Sequence, residues 1–221
     1  MEIEAIKAHL ESEEPQQRLR GLRELRQCSA EAVVPLLQRL VDDPEFLVRS
    51  QVAMGLGKHQ SEEAFGLLCR MLTNDRDHNV RAEAANSLAL YGEKSLSHLI
   101  EAFKSNQHWL VHRSIIAALL DFPASEAAAA ALYEICIASL AGVDFTVTEA
   151  AIEALGQFAN SSREAAALSH LLPLVSAEGW RVRRSVARSL KCFSSSDAQA
   201  ARQTLKQDED YRVVRATLLL N

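Results

Sequence analysis

The sequence predicts an all-α fold: a right-handed solenoid of stacked helical pairs, six to seven repeats long. Three observations predict it. A unit of 31 to 36 residues recurs along the 221-residue chain. Apolar residues within each unit follow helical spacing, and no segment sustains the alternation of a strand. Short polar turns rich in Asp, Asn and Pro separate the apolar runs.

The units follow one another from the start. Arg18 opens the series with Gly21, Leu22 and Leu25, although Gln17 stands where later copies have Val. The second copy is the most legible: Phe46-Leu47-Val48-Arg49, then Val52, Ala53, Leu56 and Gly57. The third reads Asn79-Val80-Arg81 with Ala84, Ala85 and Leu88. Two degraded copies follow, Val111-His112 with Ile115, Ile116 and Leu119, and Val147-Thr148 with Ala151, Ile152 and Leu155. The sixth is Arg181-Val182-Arg183 with Val186, Ala187 and Leu190, and Val214-Arg215 with Leu218 and Leu219 closes the series.

The anchors at 18, 49, 81, 112, 148, 183 and 215 are spaced by 31, 32, 31, 36, 35 and 32 residues, with the extra length between Ala124 and Asp144. Positions three, four and seven beyond each anchor form one apolar helix face. A first helix precedes each anchor helix, as in Val33, Val34, Leu36, Leu37 and Leu40. Turns such as Asp42-Asp43-Pro44 and Asn74-Asp75-Arg76-Asp77 join the two. Asp there accepts from free helix N–H groups, and Pro fits a first turn. The copies span nearly the whole chain, so residues 1–221 read as one domain.

Composition narrows the function. Hydrophobic residues make up 48% and charged residues 24%, with a net charge of −5. An acidic balance argues against a general nucleic-acid binder. No apolar stretch is long enough to span a membrane, and Met1-Glu2-Ile3-Glu4 lacks the marks of a signal peptide, which predicts a cytoplasmic protein. Cys28, Cys69, Cys136 and Cys192 are widely separated. The last three sit in apolar helical patterns and read as small buried residues, with Cys28 more exposed.

The turn Asp, the Val-Arg pair and the following Ala-x-x-Leu-Gly resemble HEAT repeats, and among them the short repeats of the phycobilin lyases and related phycobilisome-degradation proteins. The resemblance implies a polar ladder of turn Asp and helix Arg, here Arg49, Arg81, Arg183 and Arg215 with Asp43, Asp75 and Asp208, interrupted at His112 and Thr148. It also implies phycobiliprotein subunits of phycocyanin or allophycocyanin type as partners. An open-chain tetrapyrrole, phycocyanobilin, would be the ligand, with no required cofactor. The activity implied is lyase-like detachment of the bilin during phycobilisome disassembly. The alternative is a non-enzymatic protein–protein scaffold.

The residues offer no short catalytic signature of nucleotide, phosphate or hydrolase type. His108 and His112 are one helical turn apart but lack an acidic neighbour, so no metal site is expected. Glu149 and Glu153, also one turn apart, read as an acidic face.

More informative is the column three residues before each anchor: Pro15, Phe46, His78, Trp109, Phe145, Trp180 and Arg212. These rings either staple the local turn or form a stripe suited to a flat ligand or an apolar partner group. Positions one and five beyond each anchor are expected to point outward on the concave side. They read Leu19/Arg23, Ser50/Met54, Ala82/Asn86, Arg113/Ala117, Glu149/Glu153, Arg184/Arg188 and Ala216/Leu220. The candidate binding surface is therefore Trp109, His112, Arg113, Glu149, Glu153, Trp180, Arg184 and Arg188. Its rings and guanidiniums suit a planar anion or a carboxylate-bearing partner. The apolar end Leu218-Leu219-Leu220 suggests self-association into a homodimer.

Overall fold

The computed structural model describes residues 3–25, 28–106, 108–123, 125–142 and 144–218. Every regular element among them is helical. Packing divides the chain into two compact units, Met1–Ala128 and Ala129–Asn221.

The first unit holds four helical pairs: α1 (Ile3–Leu10) with α2 (Pro15–Glu24), α3 (Ala30–Gln38) with α4 (Phe46–Lys58), α5 (Glu62–Asn74) with α6 (His78–Ala89), and α7 (Glu93–Ser105) with α8 (Trp109–Leu120). The anchor helices α2, α4, α6 and α8 pack one on the next, and α3, α5 and α7 form a second row. The boundary between units falls in α9 (Glu126–Leu140). In the second unit α10 (Phe145–Leu155), α12 (Trp180–Ser189) and α14 (Tyr211–Leu218) stack in turn. They alternate in sequence with α11 (Glu164–Leu171) and α13 (Ser196–Leu205).

The apolar face read from the sequence is the face that packs. Val52, Ala53 and Leu56 are fully buried, as are Ala84, Ala85 and Leu88, Ala151, Ile152 and Leu155, and Val186, Ala187 and Leu190. Small residues let neighbouring anchor helices come close. Gly57 of α4 sits against Ser87 of α6, and Gly156 after α10 sits against Ser189 of α12.

Polar turns start the helices as expected. Asp77 accepts from the Asn79 amide at 2.8 Å, and Asp144 from Thr146 at 2.9 Å. Pro173, which has no N–H to donate, follows α11, and the chain continues as a tight 3-10 turn over Leu172–Ser176.

The Arg–Asp ladder is present at three junctions. Arg18 reaches Asp43 (Nη2–Oδ1 2.9 Å), Arg49 grips Asp75 with two bonds of 2.8 and 3.0 Å, and Arg183 grips Asp208 at 2.7 and 3.0 Å. In each case Nη1 also donates to two carbonyls of its own turn. Each arginine thus ties its own turn to the next pair.

Two expected rungs are absent. Arg81 meets no turn Asp, because Asn106 stands there. Arg215 is exposed and outside the ladder, because the seventh copy is set one residue earlier than its Val-Arg pair suggests. Asp208 accepts from the Asp210 amide at 2.8 Å, as Asp75 does from Asp77. That places Val214 at the anchor, with fully buried Val213 before it. Ala216, expected to face outward, is buried accordingly; Leu19 and Ala82, whose copies keep their register, were expected outward and are buried as well. Leu219 and Leu220, on which homodimerisation was expected to rest, lie outside the described residues. Among the described residues no helix is long and apolar enough to cross a membrane.

Candidate functional site

The corrected register changes the ring column. Its last member is Tyr211, not Arg212, so it reads Pro15, Phe46, His78, Trp109, Phe145, Trp180 and Tyr211. In the second unit these rings start α10, α12 and α14 and alternate with guanidiniums. Arg181 lies over Phe145 at 5.1 Å and over Trp180 at 4.8 Å. Arg212 lies over Trp180 at 3.4 Å and over Tyr211 at 5.9 Å. Arg184 adds a third cation over Trp180 at 5.2 Å. Phe145 is 52% and Tyr211 73% exposed, so this edge faces solvent. The staple reading therefore does not account for these two rings.

Two of those cations are restrained by carboxylates. Asp210 binds Arg212 at 2.6 and 2.9 Å, and Arg212 draws the Asp210 carboxyl down to about 2. Arg184 donates to Glu149 at 2.8 Å, and the hydroxyl of buried Ser185 lies 3.5 Å from the same oxygen. One turn further on, Arg188 donates to Glu153 at 3.0 Å. Trp180, Arg184 and Glu149 are thus brought together, with Arg188 and Glu153 as a second rung beside them. The four charges neutralise one another in pairs. Arg181 has no carboxylate partner among the described residues.

The first unit carries its own part of the column on α4, α6 and α8. Phe46 and Trp109 are exposed. The His78 ring stacks on His108 with centroids 3.6 Å apart and planes 10° from parallel, and the Trp109 ring lies 5.8 Å from His108. His108 also caps α8 by accepting from the Leu110 amide.

His112 takes different partners from His108. Its Nε2 donates to the Phe103 carbonyl at 2.9 Å and is also bonded to that of Asn106, and its ring stacks on Phe103. It stands in for a ladder arginine at its own turn. Thr148 does the same, with its hydroxyl donating to Ser139 and Asp144 carbonyls at 3.2 and 3.1 Å. Arg113 is exposed on α8 with no carboxylate partner among the described residues.

Sequence reasoning singled out Trp109 and Trp180 and placed Arg212 in the ring column, but missed Arg181 and Tyr211. The spacing Asp208-x-Asp210, which matches Asp75-x-Asp77, was the available signal. The cysteines need one correction: Cys136 is buried and pushed up to about 12 by loss of solvent, Cys69 is half-buried, and Cys192 is exposed. No group of three or more metal-ligating side chains gathers among the described residues.

These features define a repeat protein built from helical pairs. The chain belongs to the HEAT repeat family, whose profile matches residues 3–89, 33–120 and 134–221. It is similar in structure to the CpcE–CpcF complex of phycocyanin lyase from Nostoc sp., with 19% identity and a TM-score of 0.55, covering 99% of this chain and 93% of that one. A designed armadillo repeat protein in complex with the peptide (KR)4 is similar too, at 19% identity and a TM-score of 0.55, covering 88% of this chain and all of that one. Computationally designed armadillo repeat proteins for modular peptide recognition match at 19% identity and a TM-score of 0.53, covering 87% and 100%. No curated protein matches the sequence significantly.

Proposed function

We propose that this chain is a cytoplasmic phycobilin lyase-like protein that binds phycobiliprotein subunits of phycocyanin or allophycocyanin type and assists detachment of their bilin. This is the role in phycobilisome disassembly represented by the non-bleaching B protein. The observation that carries the reading is the exposed row of rings interleaved with guanidiniums, Phe145, Arg181, Trp180, Arg212 and Tyr211. A conjugated open-chain tetrapyrrole offers flat π surface to the rings, and its two propionates suit guanidiniums. Arg181 is the natural first partner for a propionate in the second unit. Trp109 and Arg113 offer the same pair of chemistries in the first. The full-length likeness to the lyase chains supports the reading.

A second reading, a docking scaffold without pigment chemistry, is favoured by one specific observation. Arg184 and Arg188, two of the cations a bilin would use, are already paired with Glu149 and Glu153.

A visible absorbance titration separates the two. Mixing the chain with a bilin-bearing phycobiliprotein subunit is expected to change the spectrum and release pigment from the denatured subunit, and Trp180→Ala is expected to weaken both effects. Co-elution with an unchanged spectrum would select the scaffold. The absence of both a spectral change and co-elution would remove phycobiliproteins as partners.

A further inference from the structure

We propose that the junction between the third and fourth helical pairs, around Arg81, is a binding site for a carboxylate. Three arginines at the equivalent anchor position show what the position normally holds. Arg18, Arg49 and Arg183 each grip the turn Asp of the next pair and donate to two carbonyls of their own turn. Among the described residues Arg81 has neither set of partners. Its Nε is enclosed without an acceptor, and its partner among the described residues is the His78 ring.

The cause is one residue. Asn106 occupies the place of the turn Asp, and its Oδ1 is taken by the His108 amide at 2.9 Å. An amide can offer Arg81 a nitrogen donor where Asp75 and Asp208 present a second acceptor oxygen to their arginines.

The surroundings suit an incoming anion. Burial, with Arg81 and His108 beside it, holds the His78 imidazole below its ordinary value, and its ring nitrogens lie within reach of the Arg81 guanidinium. Asp77 is engaged at the α6 cap and Asp75 by Arg49, so neither carboxylate fills the gap. Arg81 is half-buried, and beside it the His78 ring stacks on His108, whose ring in turn lies 5.8 Å from Trp109. A guanidinium recognises a carboxylate through two parallel N–H donors. A carboxylate entering from solvent would supply the acceptor that Asp75 supplies to Arg49. The site does not depend on the identity of the partner. The carboxylate can come from an acidic side chain of a protein or from the propionate of a small molecule, and the test distinguishes them.

The test follows the arginine side-chain Nε–Hε resonances of the full chain by 15N NMR, with sodium acetate replacing sodium chloride at constant ionic strength. The Arg81 signal, assigned by its loss in Arg81→Gln, is expected to shift saturably with acetate, while that of Arg49 stays still. Asn106→Asp fills the gap from within. It is expected to abolish the acetate shift and raise the melting temperature by about 2–4 °C. Biliverdin and an acetylated tetraglutamate peptide are then titrated against the wild type, Asn106→Asp and Arg81→Gln. The ligand that loses about tenfold or more in both variants names the source of the carboxylate. Absence of a saturable acetate shift, the same shift in Asn106→Asp, or unchanged affinity for both ligands in the variants would overturn the site.

Discussion

Arg49 shows how much one residue carries in this fold. Its guanidinium holds Asp75 with two bonds and its own turn with two more, and both side chains are almost wholly enclosed. Removing one partner of such a pair leaves a buried charge without compensation, which costs about 3–5 kcal/mol. Asp75→Ala should therefore lower stability by that amount, measured by urea unfolding. Arg188 and Glu153 make a bond of 3.0 Å, yet both side chains are nearly half exposed. Water and salt screen that pair, so Glu153→Ala should cost less than about 1 kcal/mol. Equal losses in the two variants would show that burial does not separate the ladder from the surface rungs.

At the scale of the element, the anchor helices were legible because their apolar face repeats through six copies, with Gly21 the one small break. Val52, Ala53 and Leu56, and their counterparts, are buried where the 3.6-residue period places them. The seventh copy misled because Val213 and Val214 are adjacent, so either could be the Val of the motif, and the Asp208-x-Asp210 turn with its bond to Arg183 separates them. The outward columns were half legible. Period alone does not say how closely a neighbouring helix approaches, and close approach buries Leu19 and Ala82. The pairing of Glu149 with Arg184 and of Glu153 with Arg188 joins residues 35 apart, which no local pattern reveals.

Glycines test the approach directly. A Cβ on Gly57 would sit 2.7 Å from Ser87 Cβ and 3.1 Å from its Cα, so α4 and α6 would have to separate. Gly57→Ala should destabilise by about 1–3 kcal/mol. Gly66 in α5 has nothing within 4 Å of the same position, so Gly66→Ala should stabilise by up to about 1 kcal/mol through helix propensity. Thermal melts of the two variants should move in opposite directions, and a fall in both would contradict the packing described for α4 and α6.

At the scale of the whole molecule, titratable groups in both units set how stability follows pH. Burial, with Lys58 adding repulsion, holds the His59 imidazole below its ordinary 6.5, and burial with Arg81 and His108 does the same to His78. The unfolded chain takes up these protons near pH 6.5, and the folded chain only at lower pH. Stability must therefore fall as pH drops below about 6.5, until the folded histidines are protonated too. Glu83 acts in the opposite sense. Burial raises its carboxyl above 4.5, so the folded state binds that proton first and regains some stability as pH falls toward 4.5. Below that, the Arg183 guanidinium holds Asp208 under its usual 3.8, and Arg212 holds Asp210 down to about 2. Stability present above 3.8 is lost as these carboxylates are forced to protonate. The urea midpoint should accordingly fall between pH 7.5 and 5.5, level off near the Glu83 range, and fall again in strong acid. Replacing His59 and His78 together by Gln should shrink the first fall and leave the acid limb in place. An undiminished first fall in that double variant would assign it to other groups.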